Sequence, residues 1–229
     1  MNCHQNLKST CRDGFLTEPD VTLTDYGLAI LCSGFAWNLW KHATRSRQLQ
    51  TLWIIFFGSI AIASLTGGTV HGFFLDESTL GYKLLWPATL LAIGITAATA
   101  WIMTGLLFSG SSKLKPWKLF ASITFILFAG VVIFYSQSFS VVILNYLPAM
   151  IALLAASVRS HTRTYANSFR LVSCGILISL IAAFIQQAGI SIHPTYFNHN
   201  STYHLIQAIG LLVLFKGSKG LLSVERPPR

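Results

Sequence analysis

Seven stretches of roughly 20 mostly apolar residues dominate this chain, and they constrain its fold more than anything else in it. They run over 23–40, 51–73, 83–108, 118–136, 139–157, 169–190 and 200–217. A helix that crosses a bilayer needs about 20 consecutive apolar residues. A buried helix in a soluble domain needs only one apolar stripe. Charged residues make up 10% of the chain, against about 25% in an ordinary soluble domain. The expected fold class is therefore all-α, an integral membrane bundle of seven transmembrane helices. The domain reading is an N-terminal tail over 1–22, the seven-helix domain over 23–217 and a C-terminal tail over 218–229. The first 20 residues are polar and hold no cleavable signal, so the first hydrophobic helix is expected to serve as the targeting segment.

The connecting segments fix an orientation. Lys41, Arg45, Arg47, Lys113, Lys115, Lys118, Arg159, Arg163, Arg170, Lys216, Lys219, Arg226 and Arg229 all fall on one side of a seven-span chain, with Glu225 as its one acid. The other side carries Lys8, Arg12 and Lys83 against Asp13, Glu18, Asp20, Asp25, Asp76 and Glu77. Cytoplasmic loops collect Lys and Arg. The N-terminus is thus expected outside and the C-terminus inside, as in a cell-membrane protein, and one helix more or fewer would scramble the segregation. The same distribution argues against nucleic acid as the partner of the net +9 charge, because the cations sit in short clusters between apolar runs. Pro87 is expected in the first turn of helix three, where proline costs little. Pro148 is expected to kink helix five.

Polar side chains in hydrocarbon face the bundle interior. Ser64, Thr66, Thr69 and His71 fall in the outer part of helix two, and Asn200, Tyr203, His204 and Gln207 in the outer part of helix seven. Gln186 and Gln187 lie near the outer end of helix six, Asn145 in the outer half of helix five, and Asp25 opens helix one. These positions predict a polar site at the outer end, built from helices one, two and seven, with five and six contributing. The competing reading is that the same residues cap helices and bridge them, with Asp25 and Asn200 as N-caps.

Zinc in catalytic sites commonly takes three protein ligands and a water, with histidine favoured. His71 and His204 are the candidate ligands within the membrane, with His199 as a third if it precedes helix seven. Asp25 and Ser64 are the candidate catalytic groups, and Asn145, Gln186, Tyr203 and Gln207 the candidate substrate-binding groups. Residues four apart share a helix face, so Ser64, Gly67, Gly68 and His71 form one face, and Asn200, His204 and Gln207 another. His193 could fold over the site from the preceding loop. Cys3 and Cys11 lie in the outer tail, where oxidation can join them. Cys32 and Cys174 read as small apolar residues, and Asn200-Ser-Thr is a glycosylation sequon.

With its N-terminus out, a histidine late in helix two and a polar-x-x-x-His opening helix seven, the chain resembles the alkaline ceramidases. These belong to a wider set of seven-helix hydrolases that includes the progestin and adipoQ receptors. Phe197-Asn-His-Asn-Ser-Thr-Tyr-His204-Leu-Ile-Gln207 and Leu23-Thr-Asp-Tyr26 also resemble segments of an uncharacterised bacterial membrane family. The ceramidase likeness implies that His71 and His204 hold zinc and that a zinc-bound water attacks a lipid amide or ester. Gly67 stands where that pattern has a serine, Asn200 where it has another histidine, and helix three has no acid. The alternative function is a receptor or sensor that binds a lipid or small molecule in the same pocket without chemistry. A transporter ranks last, since no deep ionisable residue or inverted repeat is present. Retinal needs a buried lysine, and no segment has one.

Overall fold

The computed structural model describes residues 16–44, 46–164, 166–193 and 196–223. Cys3, Cys11, His4, Arg45, Pro194 and the charges of the final six residues lie outside these. The described residues form α1 (Pro19–Lys41), α2 (Arg47–Phe73), α3 (Leu80–Ser109), α4 (Lys115–Phe134), α5 (Phe139–Thr164), α6 (Asn167–Gln187) and α7 (His199–Ser223). A short 3-10 turn, Ser111–Lys113, joins α3 to α4. Two starts follow from capping chemistry: Ser46 Oγ accepts from the Leu49 N–H at 3.4 Å and Thr79 Oγ1 from the Tyr82 N–H at 3.2 Å, each replacing a missing intrahelical acceptor.

Every helix named by the apolar stretches is present, and all seven run past the stretch at one end or both. Arg159, Arg163, Lys216 and Lys219 lie inside α5 and α7 rather than in loops. Hydropathy marks where the apolar span ends, while backbone hydrogen bonding carries the helix further. Both expected tails are entered in this way, α1 starting at Pro19 and α7 ending at Ser223. Pro87 is likewise not in a first turn, because α3 begins at Leu80 and the proline sits in its interior. Pro148 sits inside α5.

Six helices, α2 through α7, are long and apolar enough to cross a membrane, which makes this a membrane-embedded protein. The 23-residue α1 is not among them; Thr22, Thr24 and Asp25 lower its hydropathy. Its outward face is apolar nonetheless, with Leu23, Ile30, Trp37 and Trp40 exposed. Lys41 lies over the Trp37 ring at 4.4 Å, a pairing suited to a headgroup boundary.

Glycines set the closest seams. A Cβ on Gly175 would lie 2.8 Å from the Gly210 carbonyl oxygen, so α6 and α7 pack backbone to backbone, as small residues permit in membrane bundles. Gly68 and Gly72 let the Asp25 and Thr22 side chains of α1 close onto the α2 backbone. α3 packs between α2 and α5, and α4 lies outside, against α3 and α5. α7 packs on α6, α1 and α2, and among the described residues no Cα of α7 lies within 8 Å of one in α5. That separation leaves the centre of one end open.

Candidate binding cavity

The opening is a cavity of about 740 Å³ between α1, α2, α3, α5, α6 and α7. It lies at the end where α1 and α7 begin and α2 and α6 finish. Of the nine residues expected at a site, eight line it: Asp25, Ser64, His71, Gln186, His199, Tyr203, His204 and Gln207. Asn145 does not. On α5 the cavity is faced by Val142, Ile143, Tyr146 and Leu147 instead, because the inner face of that helix excludes position 145. His193 is exposed and also lies outside the cavity.

The helix-face reading holds for every residue but Gly68. Ser64, Gly67 and His71 share the cavity wall of α2, and Asn200, His204 and Gln207 share that of α7. Gly68, placed on the same face of α2, meets α1: a Cβ there would come within 2.8 Å of Asp25 Cβ.

Two histidine–carboxylate pairs stand in the polar wall. His71 Nδ1 lies 2.6 Å from Glu18 Oε2, with the two side chains 23% and 27% exposed. His204 Nε2 lies 3.3 Å from Asp25 Oδ1, with both residues buried. The other nitrogen of His204, Nδ1, is 2.9 Å from Thr24 Oγ1. Thr24 Oγ1 also donates to the backbone of Asp20 or Val21. When it does, His204 Nδ1 must be the donor to it. Nε2 then faces Asp25 Oδ1 across the 3.3 Å contact.

Neither cap expectation holds. Asp25 is two turns inside α1 and buried, where it reaches across to α7 rather than its own helix start. Asn198 caps α7, its Oδ1 accepting from the Asn200 and Ser201 N–H groups at 2.9 and 3.1 Å. Asn200 is thereby free to accept from Gln186 Nε2 at 3.0 Å, which ties α6 to α7 at the rim.

Zinc requires three protein ligands converging at about 2.0–2.2 Å. Among the described residues no three His, Cys, Asp or Glu side chains are grouped to hold a metal ion. Both nitrogens of His204 face Thr24 and Asp25, and His71 Nδ1 faces Glu18. His199 opens α7 as a helical residue. The set His71, His199 and His204 therefore does not fit a zinc site in this arrangement, and no chemical step is derived through one.

Several supports were invisible to sequence reasoning. Glu18 and Asp20 were expected to be tail charges. Glu18 instead pairs with His71, while Asp20 Oδ2 accepts from the Asn198 N–H at 3.1 Å and the Ser201 hydroxyl at 2.9 Å. The chain just before α1 is also pinned to the end of α2, with Thr17 N–H donating to the Gly72 carbonyl at 3.0 Å and Glu18 N–H to His71 at 3.2 Å. Pro19 was the available signal, since proline favours the first helical position. α3 was missed as well, although Thr89, Ile93 and Thr96 follow helical spacing and all line the cavity. Trp86 joins them and meets His71 edge-on at 6.4 Å.

Residues 21–223 match a single protein family. The chain belongs to that family, DUF6962, a family of unknown function. No curated protein and no solved structure matches the chain. The family match does not link this DUF6962 member to the alkaline ceramidases.

Proposed function

We propose that this DUF6962 protein crosses the membrane seven times, opens its cavity to the extracytoplasmic side, and binds there a molecule with an apolar body and a polar head. Of the two functions expected from the sequence, this is the receptor or sensor. The observation that carries it is the two-part lining of the cavity. Leu28, Ile60, Ile93, Phe139, Ile143, Leu180 and Phe184 supply apolar walls, while Ser64, Tyr203 and Gln207 line the same space without a hydrogen bond to any described residue. Ligand pockets are mostly apolar, about 300–1,000 Å³ in volume, with a few placed polar groups. A volume of about 740 Å³ lies well inside that range.

Charge supports the orientation. All the described acids lie at the cavity end with Lys83 as the one Lys or Arg there, and the other described lysines and arginines lie at the opposite end. Cations are retained on the cytoplasmic side. Spanning by α1 is supported by its length and by the large apolar residues on its outer face, with Thr22 and Asp25 turned inward.

Trp86 in the cavity wall gives a direct test. With the protein in phosphatidylcholine nanodiscs, a terminally brominated dodecanol should quench Trp86 saturably, and Trp86→Phe should remove the saturable component. Quenching that rises linearly with the bromoalcohol, equal in parent and Trp86→Phe, would reflect bulk lipid alone and refute binding in the cavity. A single cysteine at Ser78, labelled from outside intact cells while one at Ser112 is not, checks the orientation.

A further inference from the structure

We infer that Gln207 reads the polar head of the ligand, and that this head both donates and accepts a hydrogen bond, as a hydroxyl or an amide does. The inference rests on the binding reading above and narrows it to a chemical class.

Gln207 lines the cavity, is 5% exposed, and makes no hydrogen bond with any described residue. Its Oε1 is fully buried. A buried amide without a partner is an expense that native proteins rarely leave standing. The amide offers one acceptor and two donors, and a half-turn about its last bond exchanges the two ends. The other buried unpartnered atoms, Trp53 Nε1 and Ser157 Oγ, belong to residues that do not line the cavity. Gln207 is thus the orphaned group that a ligand can reach.

Its surroundings define the partner further. His204, one turn earlier on the same face, has both nitrogens occupied by Thr24 and Asp25. His71 is paired with Glu18. The cavity's ionisable pairs therefore compensate each other, and neither offers an unmatched charge to an ionised head. Among the polar groups left over, Gln207, the Ser64 hydroxyl and the Tyr203 hydroxyl are neutral and make no hydrogen bond with a described residue, while His199 and Gln187 also line the cavity, at the start of α7 and the end of α6. A hydroxyl or amide head satisfies such groups, since each can donate to Oε1 and accept from Nε2 or a hydroxyl.

The test compares the brominated dodecanol with its methyl ether, which keeps the chain and the acceptor oxygen but has no donor. Saturable Trp86 quenching in nanodiscs is the readout. In the parent the alcohol should bind about fivefold to tenfold tighter than the ether, and Gln207→Met should abolish that difference. Without ligand, Gln207→Met should melt no lower than the parent, because the amide it removes had no partner to lose. Gln207→Glu keeps an acceptor and should keep a preference for the alcohol. Alcohol and ether saturating equally in the parent would overturn the role of Gln207 while leaving the cavity a binding site. So would a preference that survives in Gln207→Met, or a ligand-free Gln207→Met that melts well below the parent. Absence of saturable quenching by either probe would overturn the binding reading together with it.

Discussion

Adjacent glycines on α2 should respond oppositely to the same substitution. A Cβ on Gly68 would sit 2.8 Å from Asp25 Cβ and 3.2 Å from two atoms of the Tyr26 ring. Carbon atoms prefer about 3.5–4.0 Å, and Asp25 Cβ is fixed to its own backbone and cannot swing aside. In Gly68→Ala the start of α1 must therefore move by roughly 0.7 Å or more. A Cβ on Gly67 would meet Thr89 Cγ2 at 3.4 Å and Asp25 Oδ2 at 3.8 Å, contacts that need no movement. Both variants gain the same helix propensity, about 1 kcal/mol, so it cancels between them. Their difference isolates the overpacking cost, about 1–3 kcal/mol. For a chain of this size that separates the melting temperatures by about 2–4 °C per kcal/mol. The assay is thermal unfolding of both variants in one detergent, with bromoalcohol quenching of Trp86 as a second readout. Gly68→Ala should melt lower and bind more weakly, because moving Asp25 lengthens its 3.3 Å contact with His204. Equal melting temperatures would refute the close approach of α1 to α2 and the positioning of Asp25 that depends on it.

Two further outcomes follow from individual contacts. Asp20→Ala removes the acceptor for the Asn198 N–H and the Ser201 hydroxyl, and should cost about 2 kcal/mol; amide exchange over residues 196–203 should accelerate before that of the rest of α7, and uniform protection would contradict it. In the α2–α3 loop, the Ser78 N–H, 2.9 Å from Asp76 Oδ1, holds that carboxyl below its ordinary value of 3.8, with the Ser78 hydroxyl and then Lys83 adding to it. A depressed carboxylate contributes stability that is present above its unfolded value and lost as pH falls through the folded one. The parent should therefore lose more melting temperature than Asp76→Asn on acidification below 3.8, and parallel curves would show the contact to be idle.

The helices and their boundaries were legible to the extent that hydropathy and helix ends coincide. Apolar runs located every helix because lipid solvation demands them, but the extensions of α5 and α7 carry Arg159, Arg163 and Lys219 and leave no hydropathy signal. The site was legible wherever helical spacing decides which residues share a face, as for Ser64 and His71, or for Asn200, His204 and Gln207. Asn145 failed because depth along a helix says nothing about rotation around it.

By itself the sequence determined the all-helical class, the separation of charge between the two ends, and a concentration of polar residues at one of them. These are local or additive properties, set by periodicity and by the cost of placing charge in hydrocarbon. The tertiary structure alone decided the partners: Glu18 with His71, Asp25 with His204, Asn198 rather than Asn200 as the cap of α7. Those pairings join residues far apart in the chain, and their geometry depends on how closely Gly68 and Gly72 let α1 approach α2. It also decided that α7 stands clear of α5, which turns a set of polar residues into the wall of a cavity and leaves Gln207 inside it without a partner.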